Sequence, residues 1–306
     1  MKFRILGKTG MKVSVVGIGT WQFGGEWGKT FAQDEVDAMF RRAGELGINL
    51  IDTAECYGDH LSEAFVGRAI EHERDKWVIA TKFGHKFHGN FDRTEPRSPA
   101  EVRQQLEASL KALRTDYVDL YQYHSWGDEQ FFDGDVQTEL LKMVDEGKVR
   151  HLGNSIGRND NVKQVQASSG KRIEAIQLIY NRLDRRPEQT TFPICVERNL
   201  GVLARVPLAS GLLSGKYAPG HQFDPGEVRG RQKADQRDAM LREVQQIARE
   251  EVPSGVDMAI WALAWCLQHP AVTCVIPGCK NVQQVESNAA AADLELVHDA
   301  HPQATP

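Results

Sequence analysis

Eight short runs rich in β-branched and apolar residues alternate along the chain with longer amphipathic stretches, and this alternation constrains the fold more than any other feature. The runs occupy residues 15–19, 49–52, 77–81, 118–124, 149–154, 175–180, 201–206 and 273–276. Several are apolar almost throughout, as a strand must be when helices cover both faces of its sheet. A parallel neighbour is reached only by a crossover, and a helix is the usual crossover. The helical stretches carry their own end signals: Ser98, Pro99 and Glu101 supply an N-cap, a first-turn proline and a capping-box acid, while Gly147 and Gly201 stand at C-terminal ends.

Eight such units leave two α/β architectures, a closed (β/α)8 TIM barrel or an open doubly wound sheet with a glycine-rich first turn. The candidate turn has Gly17 and Gly19 but Gln22 in place of the third glycine, and no helix follows at once, so the dinucleotide fingerprint fails. Residues 211–216 resemble a phosphate loop with one residue too few, followed by Tyr217 where Ser or Thr would bind magnesium. The barrel is therefore expected, as one domain over residues 1–306. Residues 4–6 and 12–14 flank a turn at Thr9 and Gly10 and read as an N-terminal β-hairpin plugging the barrel bottom. Residues 217–233 are too long and too rich in Gly, Pro and charge for an ordinary loop; they fit a lid or a disordered excursion equally well. An extra helix is expected near residues 235–250, another after the eighth strand, and a frayed polar tail beyond Val297.

The formal net charge of −5 disfavours a nucleic-acid partner. The most apolar stretch, residues 258–267, is about half the roughly 20 residues of a membrane span and reads as a buried helix. Cys56, Cys195, Cys266, Cys274 and Cys279 are odd in number with no C-x-x-C pair, which argues against disulfides and a zinc ribbon and points to a reducing cytoplasm. His85 and His88 have no Cys or carboxylate at ligand spacing, so no metal centre is expected.

Reactive groups of a barrel lie at the carboxyl ends of its strands. Asp52 ends the second strand with Tyr57 in the loop beyond, the third ends near Lys82, and the fourth ends in His124. A phenol is a poor proton donor near neutrality unless its anion is stabilised. Lys82 would supply that stabilisation, Asp52 would hold the lysine charged, and His124 would aim an N–H at the same oxygen position. Taken singly, each residue also has a plain structural reading. Lys82 could also serve as a Schiff-base nucleophile, although Asp52 beside it argues for a protonated amine.

The segment Asp52, Thr53, Ala54, Glu55, Cys56, Tyr57, Gly58 resembles the D-T-A-x-x-Y-G signature of the aldo-keto reductase family, and the resemblance continues over essentially the whole chain. It implies a (β/α)8 barrel, NADPH as cofactor and reversible hydride transfer to a carbonyl, with Asp52, Tyr57, Lys82 and His124 as catalytic tetrad. It further implies cofactor contacts from Gly19, Thr20, Trp21 and Asp52, and contacts to the nicotinamide amide from Asn154, Ser155 and Gln177. Pro207, Leu208, Ser210, Gly211, Leu212, Ser214 and Lys216 would wrap the pyrophosphate. Ile276, Gly278, Lys280, Gln284 and Asn288 would take the adenosine end, with Lys280 meeting a 2′-phosphate; Ser287 replaces an acid often found beside that asparagine. Trp21 and Trp126, with Tyr57 and His124, are expected to line the substrate pocket for a small carbonyl compound or a sugar. The family also includes channel-associated subunits, so a binding role stands beside the enzymatic one.

Overall fold

The computed structural model describes residues 1–96 and 98–305. A hairpin of β1 (Phe3–Ile5) and β2 (Lys12–Ser14) opens the chain. There follow β3 (Ile18–Gly19), β4 (Leu50–Asp52) and β5 (Val78–Phe83), then a small antiparallel hairpin, β6 (Lys86–Gly89) and β7 (Asp92–Thr94). The remaining strands are β8 (Val118–His124), β9 (Val149–Ser155), β10 (Ile173–Ile179), β11 (Gly201–Arg205) and β12 (Cys274–Val275). Eight of these, β3, β4, β5 and β8 to β12, form one parallel sheet in chain order. The sheet closes on itself: the Gly17 N–H donates to Val275 O at 2.9 Å and the Val275 N–H to Val15 O at 2.9 Å. All eight sequence runs are barrel strands, with ends shifted by up to three residues.

Inward-facing side chains of the barrel form a separate apolar layer: Leu50, Ala80, Leu120, Ala175, Leu203 and Cys274, one from each of six strands, with Leu6 and Val13 closing it from below. Burying each large member contributes about 1.5–3 kcal/mol. The N-terminal hairpin thus plugs the bottom as the sequence implied. Its Arg4 is 1% exposed and donates from Nη1 to Val272 O at 2.7 Å and from Nη2 to Leu267 O at 3.0 Å. Burial lowers its pKa to about 10.

Two expectations about irregular segments are resolved. The tail is not frayed: the Ile5 N–H donates to Gln303 O at 2.6 Å, Arg4 bridges Ala304, and His301 is buried. A polar composition hid this edge pairing, which runs through backbone groups. Residues 217–233 are a packed segment: Tyr217 and Phe223 enclose the Arg229 guanidinium, and the Val228 N–H donates to Glu26 O at 3.2 Å. The helices Ala234–Glu250 and Met258–Gln268 then lead to β12, after which come the helix Val282–Ala290 and a single turn, Ala291–Asp293. Among the described residues no helix is long and apolar enough to cross a membrane.

Candidate active site

Strand side chains alternate faces with a period of two, so the residue two beyond each member of the inner apolar layer points into the barrel mouth. That rule yields Asp52 above Leu50, Lys82 above Ala80, Gln177 above Ala175 and Arg205 above Leu203, while β8 carries Gln122 and then His124 above Leu120. Asp52, His124, Gln177 and Arg205 line a cavity of about 450 Å³, and Lys82 and Gln122 lie fully buried.

Lys82 is fully buried, and its Nζ donates to Asp52 Oδ1 at 2.8 Å, to Thr53 O at 2.7 Å and to Tyr57 Oη at 3.3 Å. Burial works against the ammonium, but Asp52 and the Tyr57 oxygen outweigh it, and its pKa rises above the ordinary lysine value. An amine held charged this way is no Schiff-base nucleophile. The other Asp52 oxygen accepts from Gln177 Nε2 at 2.6 Å. Behind the loop, Thr53, Ser62 and Thr20 are joined through their hydroxyls, which fixes the turn carrying Tyr57.

Burial pushes the Tyr57 phenol up to about 12, with Lys82 pulling the other way. Lys82 acts in the expected direction, favouring the phenolate, but desolvation of the phenolate is the larger effect. His124 stands edge-on to Tyr57, ring centroids 6.0 Å apart. Burial, followed by the charges of Lys82, Arg205 and Arg93, holds its pKa well below the ordinary value, so it is a neutral imidazole. Its Nδ1 lies 3.6 Å from Cys56 Sγ and 3.7 Å from Glu55 Oε2.

Glu55, Cys56 and His124 together are a group of metal-ligand type, their donor atoms within 4.8 Å of one another. His85, considered in the sequence as a potential ligand, stands beside this group and not in it: its backbone N–H donates to Glu55 Oε1 at 2.9 Å and its ring packs on His124.

Trp21 stacks on Tyr57, centroids 6.0 Å apart, and its Nε1 donates to Glu26 Oε2 at 2.5 Å. Fully buried Glu26 also accepts from Arg93 Nη2 at 2.5 Å, tying the β6–β7 hairpin to the first loop. Gly19, Thr20, Pro207, Leu208, Ser210, Gly211, Ser214, Lys216, Ile276, Gly278, Lys280, Gln284 and Asn288 all line the cavity. The turn after β11 is strained, with Val206 at φ 54°, Ala209 at 48°, Ser210 at 59° and Gly211 at 90°. Such left-handed runs aim backbone N–H groups at anions and are costly for a β-branched residue. Lys280 Nζ donates to Trp27 O at 2.7 Å, leaving two of its three donors.

Four residues do not sit as the sequence reading had them. Trp126 is packed among Phe83, Tyr123 and Phe131 with its Nε1 donating to Gly84 O at 3.0 Å, so it belongs to the core and not to the substrate pocket. Leu212 is fully buried beneath the helix Ala234–Glu250. Asn154 falls on the outward face of β9, where its Nδ2 donates to Gln164 at 3.0 Å. Ser155 points inward but lies below the cavity surface, its Oγ donating to Gln177 Oε1 at 3.3 Å. Conversely, Arg205, Arg93, His85, Gln22, Tyr217 and Arg229 line the cavity unannounced. Arg205 ends a barrel strand, so the strand-end rule applied to the seventh strand would have found it; the others arrive from loops and carry no pattern.

The profile of the Aldo/keto reductase family matches residues 15–305. The chain belongs to the aldo-keto reductase family. It is 30% identical to the aldo-keto reductase YhdN of Bacillus subtilis, over 94% of this chain and 87% of the relative. It is also 30% identical to an NADH-specific methylglyoxal reductase of Escherichia coli, over 97% and 95%. Among solved structures, the holo form of aldo-keto reductase AKR11C1 from Bacillus halodurans superposes with a TM-score of 0.81 at 30% identity, covering 99% of this chain and 94% of that one. Membership makes this aldo-keto reductase an oxidoreductase of small carbonyl compounds that uses a nicotinamide cofactor.

Proposed function

We propose that this aldo-keto reductase reduces aldehydes or ketones reversibly to alcohols with NADPH, and that Tyr57 delivers the proton. The observation that carries this is the three-way engagement of Lys82, which holds Asp52, the Thr53 carbonyl and the Tyr57 oxygen from a fully buried position beneath the cavity. Tyr57 is protonated at neutral pH, since burial puts its pKa near 12. As the carbonyl oxygen gathers charge, the phenol donates its proton, and Lys82 stabilises the phenolate left behind. Neutral His124 donates its one N–H toward the same oxygen, with Cys56 on the Nδ1 side favouring the tautomer protonated at Nε2. In alcohol oxidation the phenolate takes the proton back.

The residues fit a nicotinamide dinucleotide. Gln22 Oε1 is buried with no partner, and its amide passes over Gly278, where a Cβ would meet it at 1.8 Å. At the reacting end Gln177 supplies an amide beside Asp52; at the other end lie the strained turn, Lys216, Arg229 and Lys280. When bound, the cofactor supplies the hydride. Lys280, half-buried and with free donors, supports a 2′-phosphate and therefore NADPH over NADH. The E. coli relative is NADH-specific, so the two coenzymes must be assayed in parallel against a panel of aldehydes; equal efficiency would remove the NADPH assignment, and turnover with neither the enzymatic one. Trp21 and Tyr57 form the apolar wall of the substrate site. The hairpin, barrel and tail, packed into one continuous structure, support a single domain, and five free buried cysteines support a cytoplasmic setting.

A further inference from the structure

Arg205 is the last residue of β11 and lines the same cavity as Asp52, Tyr57, His124 and Gln177. Its guanidinium has five donors. Nη2 donates to Ile156 O at 3.2 Å, while Nε is buried with no partner. Among the described residues it makes no ion pair. The other two arginines lining the cavity are both neutralised, Arg93 by Glu26 at 2.5 Å and Arg229 by Glu227 at 2.8 Å.

The local charges therefore do not balance. Lys82 offsets Asp52, Arg93 offsets Glu26, and His85 and His124 are uncharged, His85 because burial and neighbouring positive charge hold its pKa near 4. Glu55 is pushed toward its neutral form by burial. Arg205 is left as an uncompensated cation. Its field acts on Tyr57, Asp52 and His124, which sets it beside the reacting groups. A half-buried guanidinium that lines the cavity, with donors unused and no ion-pair partner among the described residues, is suited to receive an anionic group of a ligand.

We infer that the preferred substrate is a carbonyl compound bearing a carboxylate, an oxo acid or aldehyde acid, whose carboxylate is received by Arg205 while its carbonyl faces Tyr57 and His124. This rests on the reductase reading of the same site. The planar fork of an arginine matches a carboxylate through two parallel hydrogen bonds. A phosphate dianion would call for a second free cation at this end of the cavity, and Arg93 is already committed.

The test is a set of matched substrates with NADPH: benzaldehyde against 4-carboxybenzaldehyde, butanal against succinic semialdehyde, and glyceraldehyde against its 3-phosphate. The carboxylate member of the first two pairs should be favoured at least tenfold in kcat/KM, and the phosphate should gain less. Arg205→Gln should lower the ratio of acid to neutral kcat/KM by about 10- to 100-fold, through KM for the acids, and leave NADPH affinity, read by fluorescence titration, unchanged. Arg205→Lys should retain part of the preference. Turnover of neutral aldehydes with no preference for the acids overturns the substrate class and spares the reductase reading. Failure of every aldehyde in an enzyme that binds NADPH overturns both. A stronger preference for the phosphate, or an Arg205→Gln variant that loses NADPH affinity while keeping its acid preference, assigns the guanidinium to another anion.

Discussion

Replacing Lys82 with methionine removes one charge and keeps the length of the side chain. Its Nζ stands 3.3 Å from the Tyr57 oxygen, and at an effective dielectric of about 20 a full phenolate at that distance is stabilised by roughly 5 kcal/mol. Only part of that charge has developed when the proton is in flight, so about 3–4 kcal/mol is the expected loss, or roughly 200- to 1,000-fold in kcat. The substitution also leaves Asp52 buried with Gln177 as its remaining hydrogen-bond donor. Breaking a buried pair from one side costs about 3–5 kcal/mol of stability, and that loss must be separated from the chemical one. The double variant Asp52→Asn/Lys82→Met has no orphaned charge and should regain most of the lost melting temperature, while its turnover, followed by nicotinamide absorbance under saturating cofactor, stays low. Recovery of kcat together with stability would refute the electrostatic role and reduce Lys82 to a structural residue.

Tyr57→Phe should retain cofactor affinity and lose about 100- to 10,000-fold in reduction rate, the usual span for a general acid; wild-type turnover would remove Tyr57 from the mechanism. Because burial puts the phenol near 12, reduction should be flat across neutral pH and alcohol oxidation should climb with pH beyond 10, where a plateau near 7 would show a different base. Lys280→Ala should raise KM for NADPH by about 10-fold or more, as loss of a charged hydrogen bond implies, and leave NADH unaffected; equal effects would place the lysine away from the 2′-phosphate. His85 and His301 are depressed to about 4 and about 3 by burial, so the unfolded chain binds protons that the folded chain refuses. Their contribution is intact above about 6.5 and is lost as pH falls toward those values, at up to about 1.4 kcal/mol per unit for each group; urea unfolding between pH 7 and 4 should show this slope, reduced in His301→Gln.

The fold was legible because it depends on periodic patterning. Every one of the eight apolar runs became a strand, and the failure of two nucleotide-loop motifs excluded the open sheet correctly. Asp52, Lys82 and His124 were legible for a related reason: each lies at or next to the end of a strand, and strand ends lead to the cavity. Trp126 was misread because an aromatic just past a strand end looks the same in sequence whether it turns to the mouth or back onto Phe83. The tail was misread because its order comes from backbone pairing with β1, to which composition is blind.

Alternation explains the remaining differences and sharpens the site. Inward and outward residues of a strand differ by one position, so Gly153, Asn154 and Ser155 cannot share a face; only the parity fixed by the apolar layer below decides that Asn154 meets Gln164 and Ser155 meets Gln177. The same parity, carried to β11, singles out Arg205 above Leu203 with no ion-pair partner among the described residues. The layer that seals the barrel bottom thus also selects which polar side chains reach the chemistry. A cavity-lining cation left unmatched in that selection is an argument about the substrate, since its unused donors face whatever the cavity holds.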